Sequence, residues 1–565
     1  MPVFVRQIRT RIGRRLHSSS TICSGSISGE QSSVLLSCSL SLSLSLSLSL
    51  CVCVCFLFLY TADKLNTHLP RRHNIAAKEY DYRYIQRRLE SVIAARAAVT
   101  RSPSLIVDTV RAGLVRNLAN ITTAKLYSRA FGGTKFLIEE YVTQIAEAIE
   151  DVCRPQHAPR KQVLGGTRSG HIPALSAQLT LDFVHNARQA FGRTTLVLQG
   201  GSVFGLCHIG VVRALHLRGL LPRIITGTAT GALVAAFVAI HTDDELLGVL
   251  RGSGGIDLSA FKLNEAALSS KIPLLVRRLA RFLRHGTFVD VDVLERCIHS
   301  NIGNVTFAEA YRRTKRILNI TVATETQQGG RSTGVPALLN YLTTPDVLIW
   351  SAAVASNTTS LSAPSSVVLC KDPSTGTIGP WQVADTVVFR PWTTSQSIDR
   401  AYTPLTRLSH LFNVNHFIVS QARPHVVPFI QAETPGPYSL VRQRSRPCQF
   451  FFFVLHLVAH ELRHRLRQLD SLQLLPRAIR RFLVSEHVPG ATVSLTLVPE
   501  VTGSDYWRLL SRTLSGDEVD YWAKKGERSV WKAVAALRVR CVIEAELERS
   551  YHATRRLRPK ELDIG

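Results

Sequence analysis

Eleven cysteines are scattered through the 565 residues without a disulfide framework or metal-ligand spacing. That excludes a small disulfide-stapled scaffold and a zinc module, and it suits a reducing compartment. Methionine is nearly missing, with a single residue at the start, and this scarcity has no physical account of its own. Acidic side chains are also short, 41 against 68 Lys and Arg, which leaves a net charge of +27. The surplus, mostly arginine, reads either as attraction to an anionic surface or as a solvated arginine-rich exterior. Neither an RNA-binding signature nor zinc-finger spacing accompanies it, so no nucleic-acid partner is expected. With 45% hydrophobic residues the chain is neither disordered nor fibrous, and it is long enough for two or three domains.

Residues 1–77 read poorly as protein. Arg6, Arg9, Arg11, Arg14 and Arg15 precede an apolar tract from about Val34 to Tyr60, the layout of a membrane span with a basic cytoplasmic flank. Within it, Ser39 to Leu50 is strict Ser-Leu alternation, followed by Cys51-Val52-Cys53-Val54-Cys55. A CT repeat translates as Ser-Leu and a TG repeat as Cys-Val, so adjacent microsatellites read as protein account for the segment better than a fold does. The span and a cleaved targeting peptide are the other two readings.

From Lys78 the patterns become regular. Residues 78–153 repeat apolar positions at three and four, which predicts an all-helical N-terminal domain. Residues 154–190 are expected to be a linker, its Pro- and Gly-bearing basic part running from Arg154 to about Ala174. Residues 191–425 alternate strand and helix, with strands predicted at 194–199, 223–226, 316–324, 346–353 and 416–421. An α/β fold with a central, mostly parallel sheet follows. Residues 426–565 return to helices, in which Arg463, Arg467, Arg477, Arg480 and Arg481 surround leucine-rich faces suited to a lipid surface or to packing.

The most informative stretch runs Gly200-Gly201-Ser202-Val203-Phe204-Gly205, then a basic amphipathic segment, then Gly227-Thr228-Ala229-Thr230-Gly231. A strand feeding a Gly-Gly loop, a helix, a second strand and a tight Gly-x-x-x-Gly turn is the build of a nucleophile-elbow hydrolase. The first loop is expected to offer backbone N–H groups to an oxyanion, and the second turn to carry the serine. Position 229 is alanine. The scaffold of an acyl hydrolase is present and its attacking oxygen is not.

With RAGLVRNLANITTAKLYSRAFGGTKFLIEEYV, VLQGGSVFGLCHIGVVRAL, LFNVNHFIVSQARPHVVPF and LRQLDSLQLLPRAIRRFLV added, the chain resembles the patatin-like phospholipase family. The resemblance runs from about Tyr80 to Arg558. Within the family it is to the fungal triacylglycerol lipases that carry a helical domain ahead of the patatin domain. It implies a three-layer α/β/α sandwich, a Ser-Asp dyad, no cofactor or metal, and triacylglycerol or phospholipid as substrate. It also implies a place on the cytosolic face of a lipid droplet or endoplasmic reticulum membrane.

Carried over by position, Gly200, Gly201 and Gly205 match the oxyanion loop, Gly227 and Gly231 the elbow glycines, and Ala229 the nucleophile. The family's aspartate stands before a Pro-hydrophobic-x-Arg-Leu segment, here Pro404 to Leu408, in an Asp-Gly turn that this chain lacks. Asp385 and Asp399 are the nearest carboxylates, and neither precedes a glycine. Thr228 and Thr230 flank the elbow with hydroxyls, but one residue of displacement on a sharp turn aims them elsewhere. His208 is expected to pack rather than act as a base. His285 and Asp290 fit a His-x4-Asp acyltransferase pattern, for which a chance surface histidine is the better account. Three readings follow: a non-hydrolytic lipid binder that regulates an active lipase paralogue or tethers to lipid, an active lipase obscured by a misread gene, and a decaying pseudogene.

Overall fold

Residues 72–98, 103–127, 133–154, 177–251, 291–326, 336–357, 367–381, 387–391, 404–422, 495–502 and 516–557, with scattered positions from 454 to 508, are described by a computed structural model. The three-and-four periodicity upstream of residue 154 becomes α1 (Tyr82–Ala97), α2 (Pro103–Gly113) and α3 (Phe136–Cys153). Their inward stripe, including Ile85, Val92, Ile106, Val110, Ile145 and Ile149, is wholly removed from solvent, which is the term that holds short helices together. Asp81 starts α1 by accepting from the Tyr84 amide, a side-chain N-cap.

The expected linker is corrected in its second half. Helix α4 (Ala177–Phe191) occupies it, because Phe183, Val184, Ala187 and Phe191 recur at helical spacing and join the same apolar cluster.

Beyond α4 come β1 (Arg193–Leu198), α5 (Cys207–Leu217), β2 (Ile224–Gly227), α6 (Thr230–Ile240), α7 (Phe307–Thr314), β3 (Ile317–Thr326), β4 (Leu338–Leu339) and α8 (Ile349–Asn357). A short ribbon of β5 (Leu369–Lys371) and β6 (Ile378–Pro380) precedes β7 (Val387–Pro391), α9 (Pro404–Phe412), β8 (Val414–Ser420), β9 (Leu495–Leu497) and α10 (Gly516–Leu557). The main sheet has the order β4-β3-β2-β1-β8-β9, with β7 also pairing β3. Contacts of β1 with β2 and β8, β2 with β3, and β8 with β9 are parallel, whereas β4 and β7 run antiparallel to β3.

Strand period sorts this sheet into two cores. Leu196, Leu198, Ile225, Leu318, Ile320 and Ile418 point to one face, under α5, α6, α8 and part of α10. Val197, Ile224, Ile317, Phe417 and Val419 point to the other, under Leu405, Leu408 and Phe412 of α9. Sheet residues buried on both faces read as continuous apolar runs, which is why these strands stand out in the sequence.

One predicted strand is wrong. Residues 346–353 lead into α8, a helix buried all round, from Ile349 to Ser356. A short apolar run has no polar face to reveal its period, so its sequence does not separate helix from strand.

Helix α10 is the structural surprise of the C-terminal region. Its 42 residues span roughly 63 Å at 1.5 Å per residue. Trp522, Val530, Leu537 and Cys541 enter the sheet core, while Ala536, Val539, Ile543 and Leu547 enter the N-terminal helical cluster. The last helix of the chain therefore joins the first helices to the sheet. Among the described residues, no helix is long and apolar enough to cross a membrane. The tract at 34–60 and the arginine-rich segment around Arg477 to Arg481 lie outside the described residues.

Candidate active site

Strand β1 ends at Leu198 and the chain turns through Gln199, Gly200 and Gly201 into a single 3-10 turn, Ser202–Leu206, which leads into α5. Beside it, β2 ends at Gly227 and the chain reverses into α6 at Ala229. The parallel register pairs Leu198 with Gly227, so the two turns emerge side by side at the carboxyl ends of adjacent strands, where α/β folds place their ligands.

Ala229 has φ 51° and ψ −126°, a conformation that a residue bearing Cβ rarely adopts. That is the strained geometry expected of an elbow turn, here with an alanine at its apex. Close contacts enforce it. A Cβ on Gly231 would lie 2.0 Å from the Leu198 carbonyl oxygen, and one on Gly227 would lie 2.4 Å from Ala232 Cα. Only hydrogen fits at either place.

The loop from Gly200 to Gly205 is set just as tightly. A Cβ on Gly200 would sit 2.8 Å from Ala229 Cβ, and one on Gly201 would sit 2.4 Å from the Ala422 carbonyl oxygen. Gly205 lies against the Thr230 hydroxyl, where a Cβ would come within 2.7 Å. The structure thus brings Gly200, Gly201, Gly205, Gly227, Ala229 and Gly231 together as one constellation. Its groups are backbone amides, two threonine hydroxyls and a methyl.

Both flanking hydroxyls are committed. Thr228 Oγ1 hydrogen-bonds Thr321 Oγ1 on β3. Thr230 Oγ1 accepts the Gly201 amide at 3.0 Å, so one amide of the glycine loop already has a partner.

His208 is wholly buried. Its Nε2 donates to the Gln199 carbonyl at 2.6 Å and its Nδ1 accepts from the Ser420 hydroxyl at 2.8 Å. Burial pushes its pKa down to about 4, against the opposing pull of the Gln199 carbonyl. The ring is therefore neutral, with both nitrogens used to tie α5 to the ends of β1 and β8. It packs and positions, as expected.

Asp385, Asp399, His285 and Asp290 lie outside the described residues. The Pro-hydrophobic-x-Arg-Leu segment that should follow the dyad aspartate forms the first turn of α9, with Pro404, Leu405 and Leu408 buried.

Several positioning residues escaped sequence reasoning. Ser356 on α8 receives the Ala229 amide at 3.0 Å, and nothing in an all-apolar run singled it out. Gly210 and Gly526 let α5 and α10 touch backbone to backbone: a Cβ on the first would lie 1.8 Å from the Ala523 carbonyl oxygen, and one on the second 1.9 Å from that of Cys207. Trp522 then packs edge-on to Phe204 of the glycine loop, ring centres 5.0 Å apart. Paired small residues on two helices are a signal, but only once the helices are known to be neighbours.

Known proteins match the same segments. Residues 196–364 match the family described as patatin-like phospholipase, and residues 60–188 match a domain of unknown function, DUF3336. Triacylglycerol lipase ptl1 of Schizosaccharomyces pombe is 33% identical over 488 residues, covering 86% of this chain and 80% of its own. Triacylglycerol lipase ptl3 of the same yeast is 29% identical, covering 84% of this chain and 89% of its own. Among solved structures, VipD of Legionella pneumophila overlaps 61% of this chain and 67% of its own at 14% identity and a TM-score of 0.25. On the sequence matches, this chain belongs to the family of patatin-like triacylglycerol lipases and phospholipases, with a DUF3336 domain ahead of its patatin domain.

Proposed function

We propose that this chain is a lipid-binding member of its family that has lost acyl-ester hydrolysis. The observation that carries the reading is Ala229 in the strained turn where the attacking serine belongs. Acyl transfer needs an oxygen there, and a methyl group has none to give. Loss of a serine-hydrolase nucleophile lowers turnover on the order of 10⁶-fold, or about 8 kcal/mol of barrier. Capture of the Gly201 amide by Thr230 also supports the reading, because it occupies part of the oxyanion hole.

What is retained suits binding. The loop and elbow keep their close packing, and the surplus of +27 favours an anionic headgroup layer. The place of action is the cytosolic surface of a lipid droplet or endoplasmic reticulum membrane, where the chain tethers to lipid or regulates an active lipase paralogue.

The test uses the full chain and its Ala229→Ser variant with a fluorophosphonate probe and emulsified triolein. The wild-type protein is expected to bind the emulsion, remain unlabelled and release no fatty acid above background. Labelling or turnover by the wild type sinks the reading. The Ser-Leu and Cys-Val tracts favour a second reading, an active lipase whose gene has been misread. Transcript sequence with serine at codon 229 and a restored Asp-Gly between residues 380 and 403 would establish it.

A further inference from the structure

At the other end of the sheet, the amino-terminal ends of β1, β2 and β3 border a cavity of about 480 Å³. Strand β1 meets it at Arg193 and reaches the oxyanion loop after Leu198, so at 3.3 Å per residue the two sites stand roughly 20 Å apart. One wall is a face of α10, on which Cys541, Glu544, Ala545, Glu548 and His552 recur at helical spacing. The facing wall is the turn between α5 and β2, with Leu220, Leu221, Pro222 and Arg223. Its size falls within the range of small-ligand sites, about 300–1,000 Å³.

The carboxylates of this cavity are already matched, two of them from behind the wall. Asp243 pairs with Arg316. Glu544 lies 3.1 Å from Arg116 and accepts from the Thr194 amide. Glu548 pairs with Arg188 and also lies 3.4 Å from Arg193 and 3.6 Å from His552. Arg116 and Arg188 do not line the cavity, so their charges satisfy its acids without occupying its space.

The lining cations are left in surplus. Among the described residues Arg193 has one ion-pair partner, Glu548, and shares it with Arg188 and His552. Burial, with the like charge of Arg188, holds the Arg193 pKa below its usual value despite Glu548 and Glu544, the mark of an under-compensated cation. The Arg223 side chain has no hydrogen-bond or ion-pair partner among the described residues, although its main-chain carbonyl accepts from the Ile317 amide at 2.8 Å. A second guanidinium therefore stands ready at the same cavity. Leu220, Leu221 and Pro222 add an apolar surface beside it.

We propose that this cavity binds a small organic anion, its carboxylate or phosphate group held by Arg193 and Arg223 and its apolar body resting on Leu220, Leu221 and Pro222. Guanidinium groups hold either head by charge-assisted hydrogen bonds. The site is distinct from the elbow and does not depend on Ala229.

Isothermal titration calorimetry on the full chain at constant ionic strength tests it, with inorganic phosphate, hexyl phosphate and hexanoate as probes. One-to-one saturable binding of at least one probe is expected, weakened about tenfold or more in Arg223→Ala and in Ala545→Trp, which fills the cavity from the opposite wall. Preference for hexyl phosphate assigns the phosphate head, and preference for hexanoate assigns the carboxylate. Absence of saturation by all three probes with the wild-type protein overturns the proposal. So does equal binding by the wild type and both variants, with folding of each verified by circular dichroism.

Discussion

The amide of Ala229 donates to the Ser356 hydroxyl at 3.0 Å, and that hydroxyl donates onward to the Thr321 carbonyl at 2.8 Å. The link ties the strained turn to β3 through the last turn of α8. Strain of this kind persists only where the surroundings over-determine it. Here the surroundings are Ser356 on one side and the glycines at 200, 227 and 231 on the other.

Ser356→Ala removes the acceptor and leaves the Ala229 amide without a partner, which is expected to cost about 2 kcal/mol. Ala229→Gly should act in the opposite direction. Relief of about 1–3 kcal/mol of backbone strain outweighs the roughly 0.5–1 kcal/mol of added chain entropy. Urea denaturation of both variants checks the pair of signs. An Ala229→Gly variant less stable than the wild type would mean that the turn stores no strain.

Arg116 joins three parts of the chain. It donates to the Thr194 hydroxyl, the Arg540 and Gly192 carbonyls and the Glu544 carboxylate, with only 12% of its side chain exposed. Arg116→Ala leaves Glu544 short of its cation, and breaking a buried pair in this way costs about 3–5 kcal/mol. Thermal unfolding should show a lower midpoint with the loss of helical and sheet signals together. An unchanged midpoint would show that the apolar contacts of α10 alone hold the helices to the sheet.

Acid should destabilise the fold, and His208 and Glu548 contribute in two overlapping windows. His208 titrates near 4 when folded against 6.5 in an open chain, so the unfolded state binds more protons in that window and stability falls as pH drops from 6.5 to 4. Burial raises the Glu548 pKa, but His552, Arg188 and Arg193 overcome it and hold the group at about 2 rather than 4.5. Its contribution is therefore present above pH 4.5 and lost towards pH 2. Each step is worth about 3 kcal/mol. Stability measured from pH 7 to 3 should fall less between pH 6.5 and 4 in His208→Gln, where buried His416, also shifted down, still contributes, and should keep the lower step. Equal slopes in the two proteins would contradict the assignment to His208.

The sheet strands that sequence patterning found, at β1, β2, β3 and β8, are those whose two faces are both buried, since double burial writes a continuous apolar run between turn signals. Helix α8 is equally apolar and reads as a strand for the same reason: with every side buried, no polar face marks its period. In α4 the helical stripe was present, but the basic Pro- and Gly-bearing segment before it drew the expected linker too far.

By itself, the sequence determined that a methyl group stands at position 229, because the identity of that residue is a covalent fact that no fold can alter. It also determined the glycine spacing of both turns, which local backbone sterics impose wherever chain passes close to chain. Tertiary structure alone decided what surrounds that methyl group. Ser356 is 127 residues from Ala229, and α10 closes the sheet core with residues more than 300 positions beyond the loop it supports. Hydrogen bonds and packing between such distant segments leave no periodicity in the chain, so they become visible only when the strands are set in order.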